Sequence, residues 1–160
     1  MKILICDDEP EMVKLETSLL KTYCQENNLT TVFCTFTDPS QASNEDNFDI
    51  ALLDIDMGKL NGIDLARKLR SKNPDAVLIF VTNFIQYAPE GYEVQAFRYL
   101  LKNDISQKLI LYFSEALQQI LSHRQTVTFS ISGETIDVQT KNILYLESER
   151  HIIVMHLIND

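Results

Sequence analysis

The chain has 160 residues, 45% hydrophobic and 23% charged, which amounts to about one soluble domain with a modest surplus and excludes a large enzyme, a long repeat array and a disordered polymer. Fourteen Lys and Arg against 23 Asp and Glu give a formal charge of −9, so the surface as a whole repels a phosphate backbone, and nucleic-acid binding would need a locally basic face. Ile3 to Cys6 is too short for a signal-peptide core and no apolar run nears the ~18 residues of a membrane span, while Cys6, Cys24 and Cys34 lack zinc spacing and disulfide density; reduced thiols in a cytoplasmic protein without a membrane partner are expected.

In chain order, short apolar runs alternate with helical patterns. Strands are expected at Lys2 to Cys6, Thr31 to Phe36, Ile50 to Leu53, Ala76 to Val81 and Phe97 to Leu101. Between them, Met12, Leu15, Leu19 and Tyr23 form one helix face after Pro10, and Ile63, Ala66 and Leu69 form another after Asn61 and Gly62. A weaker helix is expected from about Ser40 to Asn44, and a short one near Phe84 to Ala88 interrupted by Pro89 and Gly91. A strong helix should run from Ser106 to Ser122 with Leu109, Ile110, Phe113, Leu117 and Leu121 inward. Five strand–helix repeats imply right-handed crossovers and an α/β fold: a five-stranded, doubly wound parallel sheet with helices on both faces. Strands apolar throughout, such as Ile50 to Leu53, belong in its middle. After His123 the pattern becomes a short C-terminal β segment, with strands expected at Thr126 to Ser132, Thr135 to Val138, Ile143 to Glu147 and Ile152 to Leu157. The domain division expected is therefore 1–124 and 125–160, the second part too small to stand alone.

In such sheets ligands sit at the carboxyl ends of the strands. Those ends carry Asp7 and Asp8, then Asp54, Thr82 and Lys102. Three neighbouring carboxylates repel each other by roughly 1 to 4 kcal/mol per pair unless a cation lies among them. An all-oxygen set selects Mg²⁺ or Mn²⁺, and Mg²⁺ keeps open positions for water and phosphate oxygens. The chemistry that uses a carboxylate, a hydroxyl, a lysine and Mg²⁺ together is phosphoryl transfer to the carboxylate. Asp54 is then the nucleophile, with Lys102, Thr82 and the cation covering the phosphoryl oxygens. No general base is needed because a carboxylate is already ionised at neutral pH.

The segments Ile3 to Pro10 (ILICDDEP), Leu52 to Met57 with Asn61-Gly62, Ile79 to Thr82, and Phe97 to Lys102 resemble the receiver domains of two-component response regulators over about residues 1–124. The resemblance implies a flavodoxin-like fold and Asp54 as the residue phosphorylated by a sensor histidine kinase. It further implies Mg²⁺ held by Asp8, Asp54 and the backbone carbonyl of Asp56, with Asp7 acting through water. Thr82 and Tyr99 would be the switch residues, and the surface of the fourth helix, fifth strand and fifth helix a dimer interface. A receiver of this kind is not an enzyme beyond its own phosphorylation and dephosphorylation. Gly58 stands where many members have Pro, Asn103 replaces the Pro after the lysine, and Asn83 replaces a small residue; Asn83 and Asp56 are expected to affect phosphoryl lifetime.

Val127 to Glu134 and Asn142 to Glu149, with His151, resemble the beginning of a LytTR-type DNA-binding domain, which implies transcription regulation for a full-length form. From Thr126 onward, however, Lys141 and Arg150 face Glu134, Asp137, Glu147, Glu149 and Asp160, a net of −3, so this piece alone is not expected to bind DNA well.

Each site residue also has a plainer reading. The acidic run before Pro10 caps a helix, Thr82 caps another, and Lys102 is a solvated charge. From another class, Asp54-Ile55-Asp56 fits the Asp-x-Asp motif of haloacid-dehalogenase phosphohydrolases, although there the nucleophile precedes the acidic pair, whereas Asp7 and Asp8 precede Asp54. An interaction domain that no longer takes phosphate is the third reading.

Overall fold

The computed structural model describes residues 1–58, 61–123, 125–131, 133–149 and 152–158, except for the side chains of His123, Ile131 and Glu149. The strands are β1 (Lys2–Cys6), β2 (Val32–Phe36), β3 (Ile50–Leu53), β4 (Val77–Thr82) and β5 (Arg98–Leu101), all parallel in the order β2-β1-β3-β4-β5. The central strands are buried on both faces, as their unbroken Ile, Leu and Val content requires. Between the strands run α1 (Pro10–Glu26), α2 (Pro39–Ala42), α3 (Gly62–Lys72) and α4 (Ala88–Glu93), and α5 (Ile105–His123) follows the sheet.

One core layer joins Leu4, Ala51, Leu53, Leu78 and Phe80 to Ile63, Leu65, Ala66 and Leu69 of α3. On the other side, Tyr23 of α1 meets Phe113 of α5 edge-on with ring centroids 5.7 Å apart. Each large side chain buried this way contributes about 1.5 to 3 kcal/mol.

Several expectations shift on contact with tertiary structure. On α1 the buried stripe is Val13, Glu16, Leu20 and Cys24 instead of Met12, Leu15, Leu19 and Tyr23, and Leu15 is 39% exposed. Both stripes have helical spacing one residue apart, so periodicity cannot choose between them, and a glutamate in the true one disguises it. On α5, Ile105, Leu109, Phe113 and Ala116 are buried, whereas Leu121 is exposed and Ile110 and Leu117 are half-buried. Pro89 and Gly91 do not interrupt a helix. A 3₁₀ turn at Ile85–Tyr87 leads into α4, Pro89 occupies its first turn, where no N–H is needed, and Gly91 lies buried against Phe80. Thr82 ends β4 itself, paired with Leu101.

Two compact units make up the chain, Met1–Ala116 and Leu117–Asp160. The second contains two separate antiparallel hairpins, β6 (Thr126–Ile131) with β7 (Glu134–Gln139) and β8 (Ile143–Glu149) with β9 (Ile152–Leu157). Arg150 and His151, between the strands expected at Ile143 to Glu147 and Ile152 to Leu157, lie outside the described residues, as do Ser132, Arg124 and Asp160. Among the described residues no helix is long and apolar enough to cross a membrane.

Candidate phosphoacceptor site

The parallel register brings the strand ends into one row. Cys6 pairs with Leu53, the Asp54 N–H donates to the Cys6 carbonyl at 2.9 Å, and the Asp7 N–H donates to the Phe36 carbonyl at 3.2 Å. Asp7 and Asp54, each next after a strand, therefore lie side by side, both almost fully buried. Lys102 begins a 3₁₀ turn, Lys102–Asp104, directly after β5, and this turn aims the lysine in the absence of a following proline. Its Nζ lies 2.8 Å from Asp54 Oδ2, 2.7 Å from Asp7 Oδ2 and 2.8 Å from Glu9 Oε1. The second Asp54 oxygen, Oδ1, accepts from the Ile55 N–H at 2.6 Å.

Three carboxylates around one ammonium leave the cluster with a net charge of −2 when all are ionised. Burial works against the charge on Lys102, but its hydrogen bonds to Asp54 and Glu9 and its ion pair with Asp7 outweigh that and raise its pKa. Burial raises the pKa of Asp7, partly offset by Lys102, and burial followed by repulsion from Asp54 raises that of Asp8. Oxygens of Asp7, Glu9 and Asp54 lie within 4.8 Å of one another, an acidic pocket able to hold a metal ion. The fit extends to Asp7 Oδ2, which is buried and close to Lys102 but not aligned for a hydrogen bond, leaving lone-pair capacity aimed into the cluster.

The structure thus gathers Asp7, Asp54 and Lys102 and adds Glu9, which the strand-end argument passed over because it lies two residues beyond Asp7. Glu9 is the residue before α1 yet makes no capping hydrogen bond, its carboxylate being engaged by Lys102, so the helix-cap reading fails for it. Asp8 and Asp56 are exposed, at the rim. Thr82 is fully buried, and its hydroxyl accepts from the Phe84 N–H at 3.4 Å, but it caps neither the 3₁₀ turn nor α4, whose N-cap residues are Phe84 and Tyr87. The Tyr99 hydroxyl donates to the Phe84 carbonyl, which ties β5 to the loop after Thr82; burial, then repulsion from Asp54, pushes its pKa up to about 12. Asn83 is exposed beside Thr82.

Two glycines shape the loop after Asp54. Gly58 has φ +70, a conformation closed to proline, so the loop departs from a proline-bearing one for a backbone reason. Gly62 opens α3 against the backbone of the phosphoacceptor candidate: a Cβ there would lie 1.8 Å from the Asp54 carbonyl oxygen. Its N–H donates to the Ile55 carbonyl at 2.8 Å, and Asn61 caps the helix through the Ile63 N–H at 2.8 Å.

Glu16 is a further functional candidate that sequence reasoning missed. It is 1% exposed on the inner face of α1, and burial, followed by repulsion from Asp7, raises its pKa to about 8. Its spacing from Val13 and Leu20 was the available signal.

This fold, with an acidic pocket and a lysine at its strand ends, defines a doubly wound α/β domain, and comparison with known proteins names the family. Residues 3–113 match the model of the response regulator receiver domain, and the chain belongs to that family. It is similar to the sensory transduction protein LytT of Enterococcus faecalis, 26% identical over 157 residues (97% of this chain, 64% of that protein). It is also similar to LytT of Bacillus subtilis, 30% identical over 111 residues (63% of this chain, 46% of that protein). The chain spans about half to two thirds of the length of these relatives. Among solved structures, the response regulatory domain of mrkE from Klebsiella pneumoniae superposes with a TM-score of 0.67 at 24% identity, covering 76% of this chain and 98% of that one. Response regulator TrrA from Thermotoga maritima, solved in complex with Mg²⁺ and BeF, gives 0.58 at 27%, covering 72% and 97%. The dehalogenase reading is not favoured by these matches, and the chain is a receiver domain of a two-component response regulator.

Proposed function

We propose that Asp54 is the phosphoacceptor and that a sensor histidine kinase is the donor. The observation that carries this reading is the buried Asp54 carboxylate at a strand end, held by Lys102 at 2.8 Å within a cluster of oxygen ligands. An Asp54 oxygen attacks the phosphorus as the donor's P–N bond breaks, and the kinase imidazole leaves. Lys102, released from Asp54 Oδ2, follows the charge onto a phosphoryl oxygen, and the Thr82 hydroxyl turns from the Phe84 N–H toward another. Asp8, Asp54 and the Asp56 carbonyl, with Asp7 and Glu9 nearby, would hold Mg²⁺, which would neutralise phosphoryl charge when bound. Movement of Thr82 frees the Phe84 loop to which Tyr99 is tied, so the switch reaches the face of α4, β5 and α5, where a homodimer forms. The exposed Asp56 and Asn83 at the mouth of the site set the lifetime of the phosphoryl group.

The receiver occupies 1–124 and 125–160 is a LytTR-like segment; similarity to LytT along nearly the whole chain supports a segment of that kind beyond the receiver. The domain acts in the cytoplasm, a longer form regulates transcription by binding DNA, and its only catalysis is on its own phosphoryl group. The test is intact mass after incubation with Mg²⁺ and acetyl phosphate or phosphoramidate. One phosphoryl addition, lost in Asp54→Asn, is expected. Continued addition in that variant, or rapid turnover of phosphomonoesters, overturns the assignment.

A further inference from the structure

The opposite end of the sheet from Lys102 carries a feature the phosphoacceptor site does not use. Strand β2 is one of the two edge strands of the five-stranded sheet, the other being β5. The Val32 N–H donates to the Met1 carbonyl at 2.9 Å, and the Phe36 carbonyl accepts from Asp7. Backbone groups alternate sides along a strand, so Val32, Cys34 and Phe36 are committed to β1, and Phe33 and Thr35 direct theirs to the open edge.

Beside that edge, α1 and β2 enclose a groove of about 450 Å³. Phe33 and Thr35 lie on its strand side, and Lys14, Thr17, Ser18 and Lys21 on its helix side; among the described residues its lining includes two lysines and no carboxylate, in a chain of net charge −9. Lys21 has no carboxylate partner among the described residues and stands over the Phe33 ring with Nζ 5.7 Å from its centroid. Among the described residues Lys14 pairs only with Glu11, at 2.9 Å and largely in solvent, where such a pair exchanges readily. Thr17 Oγ1 is buried and has no hydrogen-bond partner among the described residues.

We propose that the β2 edge and the α1–β2 groove form a docking surface for an extended acidic peptide segment of a partner protein. The segment adds a sixth strand by hydrogen bonding to the outward backbone groups of Phe33 and Thr35. Its alternate residues lie on the α1 side, where carboxylates meet Lys21 and Lys14 and one accepts from the Thr17 hydroxyl. A basic or uncharged segment would complete the same backbone ladder without those contacts, so charge sets the preference.

The test uses the whole chain and the peptide acetyl-(Val-Glu)₃-amide, whose glutamates share one face, against acetyl-(Val-Lys)₃-amide. Titration calorimetry should show binding of the acidic peptide alone, weakened at least tenfold by Lys21→Glu and by high salt. Amide exchange should show Phe33 and Thr35 becoming protected only when it is bound. Thr35→Pro removes an outward donor without touching the β1 ladder and should abolish binding; if that variant does not fold, Lys21→Glu and the exchange pattern decide. Equal affinity for the basic peptide, no protection at Phe33 and Thr35, or self-association through this edge without peptide binding overturns the proposal.

Discussion

Gly62→Ala is the substitution for which the structure makes the most demanding prediction. An alanine at the start of a helix ordinarily stabilises it by roughly 0.5 to 1 kcal/mol relative to glycine. Here the added Cβ would lie 1.8 Å from the Asp54 carbonyl oxygen and 2.8 Å from Ile55 Cα. Relieving this to at least 3.0 Å displaces the start of α3 from β3 by about 1.2 Å, and both clashing partners are backbone, so no rotamer absorbs it. The displacement strains the Gly62 N–H to Ile55 bond and the Asn61 cap. Overpacking costs about 1 to 3 kcal/mol and a lost hydrogen bond about 1, giving a net loss of about 1 to 3.5 kcal/mol after the propensity gain. That corresponds to a fall in Tm of roughly 5 to 15 °C for a domain of this size. Because the moved backbone belongs to Asp54, phosphoryl uptake should slow by up to about 100-fold. Gly58→Ala is the internal control: at φ +70 with nothing within 4 Å, it should cost only about 1 to 2 kcal/mol. Urea unfolding of both variants, with acetyl-phosphate uptake followed by mass, provides the assay. A Gly62→Ala protein as stable as the parent, or less affected than Gly58→Ala, would refute the close-approach argument.

Lys102→Met leaves Asp7 and Asp54 buried together without their cation, and should cost about 3 kcal/mol in metal-free urea unfolding. Added Mg²⁺ should restore more stability to this variant than to the parent; equal Mg²⁺ responses would remove the cluster as a cation site. Glu16 has a folded pKa of about 8 against an ordinary 4.5, so the folded state binds the extra proton and this group's contribution falls as pH rises from about 4.5 to 8. Metal-free stability of Glu16→Gln relative to the parent should therefore increase across that window, and a pH-independent difference would count against a buried protonated Glu16. On α1, Leu20→Ala should cost about 2 to 5 kcal/mol and Leu15→Ala less than about 1, as measured by thermal unfolding, since Leu20 is 0% and Leu15 39% exposed. Comparable losses would restore the other stripe as the inner face.

Much of the molecule was legible in the sequence because its strands are short, the central ones are apolar on both faces, and four of the five end at or next to a chemically distinctive residue. Asp7, Asp54 and Lys102 could be grouped without coordinates because a parallel sheet aligns strand ends, and that rule depends only on the order of elements. Helix orientation was less accessible. The stripes through Leu20 and Leu19 on α1 have the same period, and only docking against the sheet selects between them. The same choice buries Glu16, whose charge disguised the inner face.

What the sequence alone determined was the α/β alternation, the five parallel strands and the acid, acid, lysine order of the site, all consequences of local hydrophobic pattern. Tertiary structure decided which carboxylates share Lys102. Glu9, itself exposed, reaches Lys102 with its carboxylate while the likewise exposed Asp8 and Asp56 make no ion pair with it, because side-chain direction after a strand depends on the turn that follows. It also decided that Gly62 must be glycine, since the need arises from the Asp54 backbone, eight positions away in the chain but in contact in space.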